Sequence, residues 1–443
     1  MNFLRKHIRF AAVFLLVMVF AGQFLFLGIT YSPDTVRFEE FSEEVYPLYP
    51  SVLYFFRTLF GTELGYNLLG LFQNLLLALA IFSLVDYLRK TYCLDDFSFL
   101  ASVLVSAAVF LAQKWFTRKG ILSSNTLFSE ALSLPFYLLF FRYALEAFQE
   151  RKRKAFCLSC VFALCLILTR GQLYWVLVII FINGLRASGS DRRKAFLSGV
   201  LACAVLAGCV QGARYVQTSS VRDTQSKSPV GFFLLSTAVY CSEKEDAGLF
   251  PEASGERRLF DAARTFMDDP QNLAAFSYET GDLTSRQKKF ESGYDPLKSV
   301  LRTEYAALTE EGGHASVGKM TRMLIFRNFG AFLLHCVQNT ATALIRTVAI
   351  LRPVVNALAG VFLALMLLAA VILGRDPRFL KETQFVTLGL LCVFLNALIM
   401  APGVFALSRY VFYNMPVLYL AAMILFRSVV LQWAGKFGNK DKQ

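Results

Sequence analysis

Charge is scarce in this chain of 443 residues. Asp, Glu, Lys and Arg together make up 17% of it, against 56% hydrophobic residues, and the mean hydropathy is +0.50. So little polar material excludes a water-soluble globule of this length, which needs far more polar surface. Histidine is scarcer still: His7, His314 and His335 are the only three, and none stands in a cluster with acids. The chain therefore lacks the His/Asp grouping of a tightly held metal. Of nine cysteines, Cys157, Cys160, Cys165, Cys203, Cys209 and Cys392 lie in apolar runs, where a thiol is a small hydrophobe. The Cys157-x-x-Cys160 pair has no second pair and no nearby His. Cys241 and Cys336 lie in a polar region and can pair only if the fold brings them together. Asn-x-Ser/Thr is missing throughout, which agrees with a bacterial plasma membrane. There is no internal repeat and no low-complexity tract.

Long apolar runs are plentiful, and they predict an all-α polytopic membrane protein. Ten spans can be drawn, at about 10–30, 66–87, 97–113, 127–148, 155–169, 172–185, 195–213, 352–374, 384–401 and 408–430. The net charge of +13 does not indicate nucleic acid, because the basic residues sit in short clusters between these runs. With the N-terminus inside, the short inner loops hold nineteen Lys and Arg and the outer ones seven. That asymmetry predicts both termini in the cytoplasm. The first run follows Arg5, Lys6 and Arg9, is longer than a signal-peptide core and precedes no small-x-small cleavage site, so it is expected to be retained as an anchor. Three regions follow: an N-terminal membrane module 1–213 with a first outer loop 31–65, a large outer region 214–351, and a C-terminal membrane module 352–443.

The outer region is too rich in aromatics and Leu for a disordered linker. Segments 228–240 and 257–267 read as ordered, and 318–350 as an amphipathic or partly buried helical stretch, with Met323, Leu324, Phe329, Phe332 and Leu333 set between Arg322, Arg327 and Arg346. The fifth and sixth spans are short. At about 15 and 14 residues each covers only about 22 Å of a hydrocarbon core of about 30 Å. They are joined by LTRGQ (168–172), so Arg170 is expected below the headgroups in a dip lined by protein. A cation at that depth costs several kcal/mol without an anionic partner.

This topology gathers the notable polar residues on the outer side: Asp34 with Glu39, Glu40, Glu43 and Glu44; Lys114, Arg118 and Lys119; Glu130; Arg170; and Arg409 with Tyr410. A carboxylate can deprotonate a hydroxyl, and arginines can hold a phosphate through paired donors. Each residue also has a plainer reading. Asp34 can start the next helix as an N-cap, Glu130 can favour a helix N-terminus, and Arg409 can anchor at the interface.

TYSPD (30–34), YPLYPSVLYFFRTLFG (46–61), NTLFSEAL (125–132), LTRGQ (168–172) and SRYVFYNMPVLYLAA (408–422) resemble, in order, the GT-C superfamily of polytopic glycosyltransferases. The closest likeness is to bacterial relatives of the dolichyl-phosphate-mannose protein mannosyltransferases, and it covers 1–185 and the last helix. The resemblance implies a sugar moved from a polyprenyl-phosphate donor to a hydroxyl of a lipid, glycan or protein acceptor, on the outer face of a plasma membrane and with inversion favoured. It implies Asp34 as catalytic base, with Arg409 beside Tyr410, Arg170, Arg118 and Lys119 on the donor's phosphate. It also implies helices along the membrane surface in the first outer loop, which residues 35–45 and 52–60 fit, and a 214–351 region that covers the cleft. Where many members carry a second acid directly after the first, Thr35 stands here, so the second would come from Glu39, Glu43 or Glu130. No cofactor is firmly implied, although a divalent ion between Asp34 and the phosphate fits. Two alternatives are an O-antigen polymerase or ligase acting on a diphosphate lipid, and a non-enzymatic flippase or transporter of lipid-linked sugars.

Overall fold

The computed structural model describes residues 2–32, 34–42, 45–116, 122–187, 192–220, 231–272, 276, 282–349 and 352–438. Among them the chain is helical almost throughout and has no strand. Extended backbone pairs only in an isolated parallel bridge between Thr30 and Thr126. Among the described residues, eight helices are long and apolar enough to cross a membrane, and they fall on eight of the ten expected spans. The fifth and sixth correspond to a helix of 17 residues and to the shorter apolar stretch Gly171–Arg186, and both fall short of the other eight. Apolar surface supports the membrane assignment independently. Only 11% of the apolar window in Val354–Leu373 is buried, leaving Val354, Leu358, Leu365 and Leu368 exposed on a helix that water would not tolerate.

The chain divides into two units. The first comprises Met1–Arg222, Phe362–Cys392 and Phe412–Gln443, and the second Asp223–Val361 and Val393–Val411.

Unit one begins with α1 (Asn2–Leu27), which Gly28 terminates by taking the left-handed φ of 69° that L side chains avoid. Two short helices follow, α2 (Thr35–Glu39) and α3 (Leu48–Phe60), then α4 (Thr62–Tyr92), α5 (Asp96–Phe116), α6 (Ser129–Glu150), α7 (Arg153–Thr169), α8 (Val176–Ala187) and α9 (Arg192–Ser220). In α3, Tyr49 and Leu53 turn inward while Tyr54, Phe55 and Leu59 stay exposed, the two-faced pattern of an interfacial helix. One end of this unit collects the segments expected on the inner side. Arg9 pairs with Asp86, Arg89 with Asp96 at 2.8 Å, and Arg427 with Asp95 at 3.2 Å. Tyr92 and Gln149 both donate to the Lys381 carbonyl, at 3.1 and 2.9 Å. The segments on either side of Thr30, Thr126 and Arg170 meet at other ends of the same helices.

Unit two contains α10 (Gly231–Tyr240), α11 (Gly255–Asp268), α12 (Leu283–Glu310), α13 (Val317–Arg327), α14 (Phe329–Val348) and the short α17 (Ser408–Val411). The remaining long helices are α15 (Pro353–Leu373), α16 (Leu380–Met400) and α18 (Met415–Gly438). Segments 228–240 and 257–267 fall largely in α10 and α11. The helices of unit two start as water-exposed helices do: Ser254, Asp282 and Ser316 each accept a backbone N–H of the first turn. Leu259, Phe260, Ala263 and Met267 of α11 face a core shared with Phe290, Tyr294, Leu297 and Leu301 of α12.

Of the two readings of 318–350, Arg346 follows the partly buried one. Arg346 is not on a polar face. It is 9% exposed and paired with Glu291, 4% exposed, while also donating to the Ala406 carbonyl. Removing one partner of a buried pair strands the other charge, at a cost of about 3–5 kcal/mol. Arg346→Met should therefore lower the thermal unfolding temperature markedly, and Arg346→Met with Glu291→Leu should regain most of the loss. Equal losses in the single and double variants would contradict this account.

Candidate functional site

A short extended segment organises the site in unit one. After α1, Thr30 donates its N–H to the Asn125 carbonyl at 2.9 Å, and its own carbonyl accepts from the Leu127 N–H at 3.0 Å. Buried amides hold the same junction from within: Gln23 donates to Asn74 and Asn125 at 2.8 and 2.7 Å, and Asn74 to the Ser124 carbonyl at 3.0 Å. Inside an apolar bundle such amides must satisfy one another, so each fixes its neighbours. The Thr35 hydroxyl then donates to the Leu127 carbonyl at 2.9 Å. These bonds fasten the chain around Asp34 to the start of α6.

Asp34 directly precedes α2 but makes no side-chain cap bond to it, so the capping reading is not realised. Its carboxylate is about one-third exposed and stands 3.6 Å from the Arg37 guanidinium. Glu39 accepts from the Tyr66 hydroxyl at 2.5 Å and is thus tied to α4.

Glu130 lies in the first turn of α6, where the helix dipole favours a carboxylate. It is 4% exposed and forms an ion pair with Arg170. The anionic partner of the largely buried Arg170 is therefore Glu130. Ser129 donates to Glu130 at 3.2 Å, and Arg170 reaches Ser129 at 3.4 Å and Gln172 at 3.2 Å. Arg170 can reach α6 because the α7 helix stops at Thr169 and Arg170 itself is extended. Gly171 follows, and an added Cβ there would press on the tip of the Tyr46 side chain, which would have to shift. Tyr46 is itself held, by the Tyr174 ring at 6.4 Å and by the Arg214 guanidinium 4.5 Å from its centroid. Gln217 on α9 donates to the Ser42 and Val45 carbonyls at 3.3 and 3.0 Å, closing this side of the first loop.

Tyr49 is fully buried and accepts from Gln73 at 3.1 Å. Burial pushes its phenol well above the ordinary tyrosine value. Gln73 opposes that shift, and the negative charge of Glu130 adds to it. Tyr49 is therefore a neutral hydroxyl at any physiological pH.

Gly171→Ala tests how tightly this corner is packed. Forcing a methyl against Tyr46 should cost about 1–3 kcal/mol. In a Tyr46→Ala background the same substitution should cost little, as read by thermal unfolding of the four proteins.

The expected site residues divide between the units. Asp34, Glu130 and Arg170 belong to unit one. Arg409 and Tyr410 belong to unit two, where the guanidinium donates to the Tyr410 hydroxyl at 3.0 Å and Asn396 donates to the Tyr410 carbonyl at 3.0 Å. Arg118 and Lys119 lie outside the described residues. Tyr46, Tyr49, Ser129, Gln172 and Arg214 are neighbours that sequence reasoning did not single out. The two tyrosines stood in the YPLYP run, whose repeated aromatic-proline pattern was their only signal. No disulfide joins Cys241 and Cys336. No family model, no curated protein and no solved structure matches the chain.

Proposed function

We propose that this membrane protein is a glycosyltransferase of the GT-C type, moving a sugar from a polyprenyl-phosphate donor to a hydroxyl acceptor. The observation that carries the reading is the fastening of the Asp34 segment to the start of α6, where the buried Glu130–Arg170 pair lies. A carboxylate with an exposed face and a guanidinium fixed in a protein-lined dip are the two groups this transfer requires. The end of unit one bearing them faces the outer side in this proposal, following the charge asymmetry of the loops.

In the reaction, the Asp34 carboxylate takes the proton of the acceptor hydroxyl while the hydroxyl oxygen bonds to the anomeric carbon. The bond from that carbon to the phosphate oxygen breaks, and the electron pair leaves with the lipid phosphate. Arg170 brings a guanidinium with five N–H donors to this point, where Glu130, Ser129 and Gln172 hold it. Those donors neutralise the developing charge. Glu130 acts as a positioning residue that makes a buried cation tolerable there.

The test is a reconstitution of the purified protein in liposomes with a polyprenyl-phosphate hexose and a hydroxyl acceptor. Release of polyprenyl phosphate together with a glycosylated product is the expected result. Movement of intact donor between leaflets with no covalent change would replace the proposal with a transport function.

A further inference from the structure

Unit two contains a recess that the transfer reaction does not use. It lies between the end of α10, the first turns of α12 and the middle of α14, and is lined by Tyr240, Arg286, Lys289, Phe290, His335 and Gln338. His335 is 6% exposed, with its ring edge-on to Phe290 at 4.3 Å between centroids and 5.6 Å from Tyr240. Its Nε2 has no hydrogen-bond partner, and neither has the buried Nε of Arg286. Native proteins rarely leave such atoms unpaired unless something else occupies the space beside them. Burial pushes the imidazole down to about 4, so at neutral pH it is uncharged and able to donate from Nε2. No carboxylate lines the recess among the described residues, and the nearby Glu291 is taken by Arg346. Two cationic side chains and an unpaired imidazole nitrogen repel a metal cation and match an anion.

We propose that this recess binds an oxyanion, a carboxylate or phosphate group of a small ligand, between Arg286, Lys289 and the Nε2 of His335. Tyr240 and Phe290 wall the recess with aromatic carbon. The site stands on its own residues and does not depend on the transfer reaction.

The intact protein, labelled with 15N-histidine and placed in phosphatidylcholine nanodiscs, is titrated with inorganic phosphate against a sodium chloride control of equal ionic strength. One imidazole resonance, identified by its disappearance in His335→Gln, should shift saturably with phosphate only. Arg286→Gln and Lys289→Gln, at partly exposed positions, should each weaken the midpoint about tenfold, as loss of one charge-assisted hydrogen bond does. If one variant fails to fold, the other carries the comparison. A shift that never saturates, or one undiminished in both folded variants, overturns the proposal and leaves the recess to water. Nanodiscs containing phosphatidylglycerol then separate two sources. A resonance already shifted before phosphate is added identifies a lipid headgroup, and an unchanged titration identifies a soluble ligand.

Discussion

Asp34→Asn should reduce sugar transfer about 10²–10⁴-fold, the range a positioned general base contributes, while leaving the thermal unfolding temperature within a degree or two of the parent. Both halves of this expectation follow from the local structure. Asn has the shape of Asp but cannot accept a proton from the acceptor hydroxyl. The Asp34 side chain caps no helix, is about one-third exposed and stands at a long 3.6 Å from Arg37, so the isosteric change should disturb the packing little. An exposed ion pair of that kind is worth at most about 1 kcal/mol. If the residue merely shaped the turn into α2, turnover would be nearly normal. Full activity in a well-folded Asp34→Asn protein would falsify the assignment of the base. Donor binding offers a second readout. Loss of the base should lower kcat with little change in the KM for the lipid donor.

The contrast between Asp34 and Glu130 shows which features were legible in the sequence. Asp34 could be singled out because hydropathy ends sharply at Thr30 and the acid follows within one turn. The eight long helices were legible for the same reason, since a run of about twenty apolar residues carries its own signal. That Arg170 would need an anionic partner was also readable, because two short apolar segments leave their linker no room to reach far from the protein. The identity of that partner was not. Glu130 and Arg170 lie far apart in sequence, and their meeting depends on α7 packing along α6. Arg346 was only half legible for a related reason. Helical periodicity put it with other basic residues near an interface, but Glu291, 55 positions away, draws it into a buried pair. Period and composition describe which face of a helix is apolar. They do not describe which distant charge will be waiting on the other side.

Glu130→Gln should lower stability by about 3 kcal/mol, the low end of the ~3–5 expected when one member of a buried pair is removed, because Arg170 retains 14% exposure and some hydration. Arg170→Gln should cost about as much, since it strands a carboxylate that is 5% exposed. The double variant should be more stable than either single one, with a coupling of about 2 kcal/mol between the sites. Denaturant unfolding of the four proteins in one detergent measures it. Transfer activity should not follow this pattern. Restoring neutrality in the double variant recovers the fold but leaves no cation for the departing phosphate, so its turnover should stay as low as that of Arg170→Gln alone. Glu130→Gln, assayed below its unfolding temperature, should retain more activity than either, because the guanidinium is still present. A double variant that recovers both stability and turnover would make the pair purely structural, and the phosphate would have to be neutralised elsewhere. Recovery of stability without turnover separates the two functions of one arginine: it satisfies a carboxylate at rest and a phosphate during transfer.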